Sequence, residues 1–160
     1  MGIGWRDIAF EMKPDIARDA ANAWSWLVPE PWEPIVCSMV AGVFLEATSS
    51  GVLWLDTGTG LVEQVAQSRA HFEQIVRSSP DLVDEWFLPP LVERLHAAGK
   101  KPNEGECYGF TILPVFAEGK YDTDNMFVLP VREQLVGMAA IHRQLNDLPD
   151  GASVQVKVTD

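Results

Sequence analysis

At 160 residues, 47% hydrophobic and 22% charged, the chain has the length and apolar content of one soluble globular domain spanning 1–160. Twenty-three acidic residues against 12 basic ones give a net charge of −11, which disfavours nucleic acid and anionic membranes, whose binding needs lysine and arginine. Two cysteines are too few for a disulfide framework or a cysteine-rich zinc site, and no apolar run approaches the ~18 residues of a membrane-spanning helix.

The N-terminal stretch MGIGWRDIAFEMK lacks the basic start and apolar core of a secretory signal, which points to a cytoplasmic protein. Over 14–27, Ile16, Ala20, Trp24 and Leu27 recur at helical spacing, with Pro14 suited to the first turn and Asp15 to the helix dipole. The run PEPWEP at 29–34 is expected to stop that helix and to allow no regular ladder. Four short runs follow, IVCSMV, GVFLEAT, GVLWLDT and LVEQVA, separated by Ala-Gly, Ser-Ser-Gly and Gly-Thr-Gly. Their valines, leucines and aromatics between turn formers predict an antiparallel meander. Ser68 has the position of an N-cap before the apolar stripe Phe72, Ile75 and Val76. Ser79-Pro80-Asp81 opens a further helix, Pro89-Pro90 breaks or restarts it, and Gly99 suits its end. CYGFTILPV and MFVLPV predict strands around an acidic loop, 132–146 is the clearest helix, and SVQVKV predicts a last strand after the turn LPDG. Helices and strands mix without a βαβ rhythm. The expected class is therefore α+β, with helices packed on a mainly antiparallel sheet built from an N-terminal meander and C-terminal strands.

Asp56-Thr57-Gly58, after the apolar Leu53-Trp54-Leu55, has the form of an aspartic-protease signature. That chemistry needs two carboxylates ~3 Å apart sharing a proton, so the second would come from a dimer mate. It would also need an apolar-apolar-glycine segment behind the turn. The one candidate, Leu135-Val136-Gly137, lies inside the best helical pattern of the chain. Asp, Thr and Gly are turn formers, and a hairpin loop accounts for the stretch more simply. His71, His96 and His142 show no metal-ligand spacing, and His142 shares a helical face with Leu135, Met138 and Leu145, as a core or core-edge residue does. Asp122-x-Asp124-Asn125 starts like a calcium loop, but Met126 stands where an oxygen ligand belongs. No phosphate-binding glycine motif is present. Neither a metal nor another cofactor is expected. Of the six tryptophans, Trp32, between Glu30 and Glu33 in the proline-rich run, is the best candidate for an exposed one.

The ordered series Trp-Ser-Trp-Leu at 24–27, Trp-Leu-Asp-Thr-Gly at 54–58, Cys-Tyr-Gly-Phe at 107–110, Asn125 and Leu-Pro-Asp-Gly at 148–151 resembles the type VI secretion immunity proteins. Specifically, it resembles the C-terminal domain of the Tdi-type family, over roughly 15–158. Pro114 to Gly119 departs from the Pro-x-x-Gly-Gly expected there. The GAD-like partner domain of the family is not seen, so the resemblance is to a stand-alone form. It implies a cytoplasmic protein without catalysis that binds and neutralises a cognate protein toxin, a type VI effector, by occluding its active site or blocking its assembly. The acidic balance suits a partner with a basic surface or cleft. The contact residues expected on loop position and chemistry are Glu30, Trp32 and Glu33 on the proline-rich segment, with Glu118, Tyr121, Asp122 and Asp124 on the long loop. The alternatives are a homodimeric aspartic protease using Asp56 and a cytoplasmic regulatory or scaffold module.

Overall fold

Valine, leucine and aromatic runs between glycine turns set the strands of the computed structural model, which describes residues 3–47 and 50–147. Strands β2 (Trp32–Ser38), β3 (Gly42–Ala47), β4 (Gly51–Asp56) and β5 (Leu61–Ala66) form the expected antiparallel meander. A two-residue strand, β1 (Ala9–Phe10), pairs with Ser38 and Cys37 and completes a five-stranded sheet in the order β1-β2-β3-β4-β5. A single helical turn, α1 (Trp5–Ile8), precedes it. The sequence pattern foreshadowed neither α1 nor β1.

The proline-rich run corrects an expectation. A ladder does pass through it: Trp32 pairs with Ala47, Glu33 with Glu46 and Pro34 with Leu45. The register shifts between Pro34 and Val36, and β1 covers only the far end of β2. Pro34 thus sits at a bulge on an otherwise free strand edge, where a missing N–H breaks no ladder bond.

Alternation along the strands divides the core into two layers. Cys37, Val43, Leu45 and Leu55 face α2 (Pro14–Ala23) and α6 (Val131–Asn146), meeting Ala20, Trp24, Leu135 and Ala139. Val36, Phe44 and Val52 face the other way, toward α3 (Arg69–Ser78), α4 (Pro80–Phe87) and α5 (Pro89–Ala97). The architecture is α+β, with helices on both faces of an antiparallel sheet. Phe44 is the hub of the second layer, its ring 5.0 Å from Phe72, 5.2 Å from Trp86, 5.3 Å from Phe87 and 6.0 Å from Trp54. Across the first layer the Trp24 Nε1–H donates to the Leu135 carbonyl at 2.6 Å, and Arg132 of α6 pairs with Asp15 and Asp19 of α2.

The helix starts follow the expected signals, but α2 ends at Ala23 rather than Leu27, and Ser79 makes no side-chain cap bond to α4. Ser68 Oγ accepts from the His71 N–H at 3.1 Å. Pro80 starts α4, and Leu88 (φ 50°) lets the chain turn before Pro89 starts α5. Strands β6 (Glu106–Phe110) and β7 (Met126–Pro130) pair with each other as a separate two-stranded sheet, rather than extending the meander as expected. The hairpin docks through the Tyr108 N–H, which donates to the Met39 carbonyl at 2.9 Å, and through Cys107 in one layer and Tyr108 and Phe110 in the other. Cys37 and Cys107 are buried free thiols. Burial raises both, Cys107 to about 12 and Cys37 further, with Cys107 adding to the rise at Cys37. The expected turn at 148–151 and strand at 153–158 lie outside the described residues.

Candidate functional site

The β4–β5 turn carries the Asp56-Thr57-Gly58-Thr59-Gly60 stretch. The Gly60 N–H donates to the Asp56 carbonyl at 2.8 Å, closing the loop. Asp56 Oδ1 accepts from the Gly58 N–H at 2.9 Å and, more weakly, from the Thr59 N–H at 3.4 Å. The aspartate caps its own turn, as the hairpin reading expected. Leu135, Val136 and Gly137 lie within α6, so they provide no protease-like strand behind the turn.

Beneath the turn is a buried polar network. Thr57 is fully buried. Its N–H and Oγ1 both donate to the Ala41 carbonyl, at 2.9 and 2.6 Å. Buried Gln134 donates from Nε2 to Thr57 Oγ1 at 3.1 Å, and His142 Nε2 donates to the Thr57 carbonyl at 2.8 Å. A carbonyl only accepts, which puts the imidazole proton on Nε2. Burial lowers the His142 pKa, against the opposing pull of the Thr57 hydrogen bond and the nearby Asp56 charge, so the ring is neutral at pH 7. Gly60 has φ +75°, and a Cβ there would lie 2.6 Å from His142 Nδ1. Turn and helix α6 are therefore locked together by residues up to 85 positions apart in sequence.

Outward from the turn, Asp56 Oδ2 accepts from the Tyr121 hydroxyl at 3.3 Å. Desolvation raises the Asp56 pKa, with the Gly58, Thr59 and Tyr121 hydrogen bonds opposing it. Burial and the Asp56 charge push Tyr121 well above the usual phenol range. A cavity of about 260 Å³ opens here, lined by Trp54, Asp56, Glu85, Trp86, Leu88 and Tyr121 among others. Among the described residues no basic side chain lines it. A larger hollow of about 690 Å³ lies between α1–β1 and α3, with Trp5, Phe10, Arg6, Glu73 and Arg77 in its wall.

The long loop bearing Glu118, Tyr121, Asp122 and Asp124 is held by Asn125. Its Nδ2 donates to the carbonyls of Ile112 (2.9 Å) and Lys120 (2.8 Å), and its Oδ1 accepts from the Ile112 N–H at 2.9 Å. Lys100 Nζ adds bonds to the Thr123 and Met126 carbonyls, and the Tyr108 hydroxyl donates to the Lys100 carbonyl. Glu118, Asp122 and Asp124 are exposed, and Tyr121 is 37% exposed. Among the described residues no cluster of three ligating side chains is placed to hold a metal ion. On the other segment Glu30 and Glu33 are exposed, but Trp32 is only 8% exposed, which corrects the expectation of a surface tryptophan. The strand through Trp32 turns its indole into the layer that holds Val28, Val43 and Leu45. The structure does not bring the two segments together. The rung at Trp32 and Ala47 is one end of the sheet, and the rung at Ser38, Gly42 and Asp56 is the other. Six residues of strand separate them, roughly 20 Å. Glu85 and Gln134 belong to no sequence motif, and Thr57, though part of Asp-Thr-Gly, was legible only as a turn former. Glu85 precedes Trp86 on the helix that Ser79-Pro80-Asp81 opens, but nothing in that opening marked which acid would line a cavity with Asp56.

The Cys-Tyr-Gly-Phe strand and Asn125 thus position the acidic loop, and both fall in a segment with a known counterpart. Residues 66–140 match the family model described as T6SS immunity protein Tdi1, C-terminal. The resemblance to type VI secretion immunity proteins holds over that segment. It is shorter than the 15–158 expected, because Trp-Ser-Trp-Leu and Trp-Leu-Asp-Thr-Gly precede the Tdi1-type segment and Leu-Pro-Asp-Gly follows it. The match supports an immunity role, which in that family implies a cognate toxin partner. No curated protein matches the chain. Among solved structures, the crystal structure of Atu4351 from Agrobacterium tumefaciens matches with a TM-score of 0.53 and 14% identity, over 86% of this chain and 69% of that one. At that identity the likeness shows the fold alone: an α+β arrangement of the same kind. Among the described residues no helix is long and apolar enough to cross a membrane.

Proposed function

We propose that this chain is an immunity protein that neutralises a cognate type VI effector toxin in the cytoplasm by binding it directly and occluding its active site. The observation that carries this reading is the Tdi1-type match over 66–140. Two features support it. Asp56 Oδ1 caps its own turn, which accounts for the Asp-Thr-Gly stretch without a catalytic role. The net charge of −11 favours rapid encounter with a basic toxin surface. The complex should bury a standard interface or more, roughly 1,600 Å² in total. The Asn125-held loop, with Glu118, Tyr121, Asp122 and Asp124, supplies one contact region, and Glu30 and Glu33 supply a second at the other end of the sheet.

Co-expression of this chain with the toxin domain encoded beside it tests the reading. Survival of the host, with a stoichiometric complex on size exclusion, is the expected result. Continued killing in the presence of well-expressed, folded protein sinks it. Alanine at Glu118, Asp122 and Asp124 together should weaken the complex at least tenfold, and unchanged affinity would remove the loop from the interface.

A further inference from the structure

We propose that the cavity between the β4–β5 turn and α4 is a receptor for a single arginine side chain presented by the neutralised partner. The inference rests on the immunity reading and names the chemistry of its anchor.

Size comes first. At about 260 Å³ the cavity falls below the ~300–1,000 Å³ of typical small-molecule sites. It admits one long side chain rather than a cofactor. Its wall then selects the kind of side chain. Trp54, Trp86 and Tyr121 offer aromatic surface, and Asp56 and Glu85 offer two carboxylates with no basic side chain beside them among the described residues. Neither carboxylate forms an ion pair among the described residues. Asp56 Oδ1 is occupied by the turn, but Oδ2 meets only the long Tyr121 contact and keeps acceptor capacity. Flat aromatic faces beside carboxylates complement a planar guanidinium, which stacks and forms forked hydrogen bonds. An ammonium matches the charge but not the plane.

Two further observations agree. Desolvation holds the Asp56 pKa up, so a cation entering the cavity gains by offsetting a cost that the free protein carries. Buried Gln134 and His142 fix the turn from behind, so Asp56 is pre-organised and little ordering is needed on binding. Tyr121 of the acidic loop lines the cavity, which makes the pocket continuous with the contact region already proposed.

The test uses the whole chain and N-acetyl-L-arginine amide as probe, followed by the indole N–H signals of Trp54 and Trp86 in NMR. Saturable shifts are expected. The neutral isostere N-acetyl-L-citrulline amide should bind at least tenfold more weakly, and Glu85→Gln, an exposed position, should weaken the arginine probe tenfold without changing Tm. Asp56→Asn, which keeps an acceptor for the turn, provides a second variant with the same expected loss. Equal binding of the citrulline probe, tighter binding of N-acetyl-L-lysine amide, or no indole shift overturns the assignment. The toxin complex separates this idea from the immunity reading. A wild-type complex whose affinity is unchanged by Glu85→Gln overturns the pocket and leaves immunity standing. A wild-type chain that neither rescues nor co-elutes with toxin, while the arginine probe still saturates, overturns immunity and, with it, the toxin as the source of the arginine.

Discussion

Asp56 is held in its charged form only at a cost. Its folded pKa is raised, chiefly by desolvation, so above the ordinary aspartate range and below the raised value the folded chain binds more protons than the unfolded one. Stability from this group therefore falls as pH rises through that window. Asp56→Asn has no such window, and its amide can still accept from Gly58 and donate to the Tyr121 hydroxyl. The variant should melt at a temperature similar to wild type near pH 3.5 and several degrees higher at pH 7, as scanning calorimetry would show. A gap that closes as pH rises would contradict the assignment. The other charged or titratable groups around the carboxylate, Glu85, Tyr121 and His142, are present in both proteins and largely cancel in the comparison. Gly60 makes the complementary point. Its φ of +75° and the 2.6 Å approach to the imidazole mean that Gly60→Ala strains the backbone and displaces His142 from Thr57. A loss of about 2–4 kcal/mol in denaturant unfolding is expected.

At the scale of elements, much was legible in advance. Each meander strand was visible because its apolar run ended in glycine turns, and the caps at Ser68 and Pro80 are local chemistry that needs no tertiary context. The failures have physical causes. Pro34 argues against a ladder only when both strand edges are paired, and β2 has one edge free at that position. Local pattern shows that Cys107 to Phe110 extends as a strand but not which strand it joins, so the separate β6–β7 sheet was hidden. The site was less legible than the fold. Thr57, Gln134 and His142 meet across 77 and 85 residues of sequence, and Asp56 finds Tyr121 across 65. Asn125 is the residue whose role the structure makes specific. Asn125→Ala removes three side-chain bonds to the loop and should cost about 1–3 kcal/mol. It should also speed amide hydrogen exchange between Ile112 and Asp124 while leaving the β2–β5 amides protected. Uniform acceleration throughout would mean that the loop is no separate unit.

For the molecule as a whole, charge and layering set what can be observed. If the acidic surface steers a basic toxin, raising salt from about 50 to 500 mM should slow association by roughly tenfold or more and leave dissociation nearly unchanged in stopped-flow measurements. Equal slowing of both steps would argue against steering. The two buried thiols have a different use. Cys37 lies in the five-stranded sheet and Cys107 in the separate hairpin, both closed to solvent and both protonated at neutral pH. A small alkylating reagent needs an accessible thiolate, so each can be modified only when its own part of the protein opens. Timed alkylation read by mass spectrometry should modify Cys107 first, since a two-stranded sheet has less to hold it than the meander does. Identical rates would instead show one all-or-none unit. The chain thus carries two clocks, one in each sheet, that record which part lets go first.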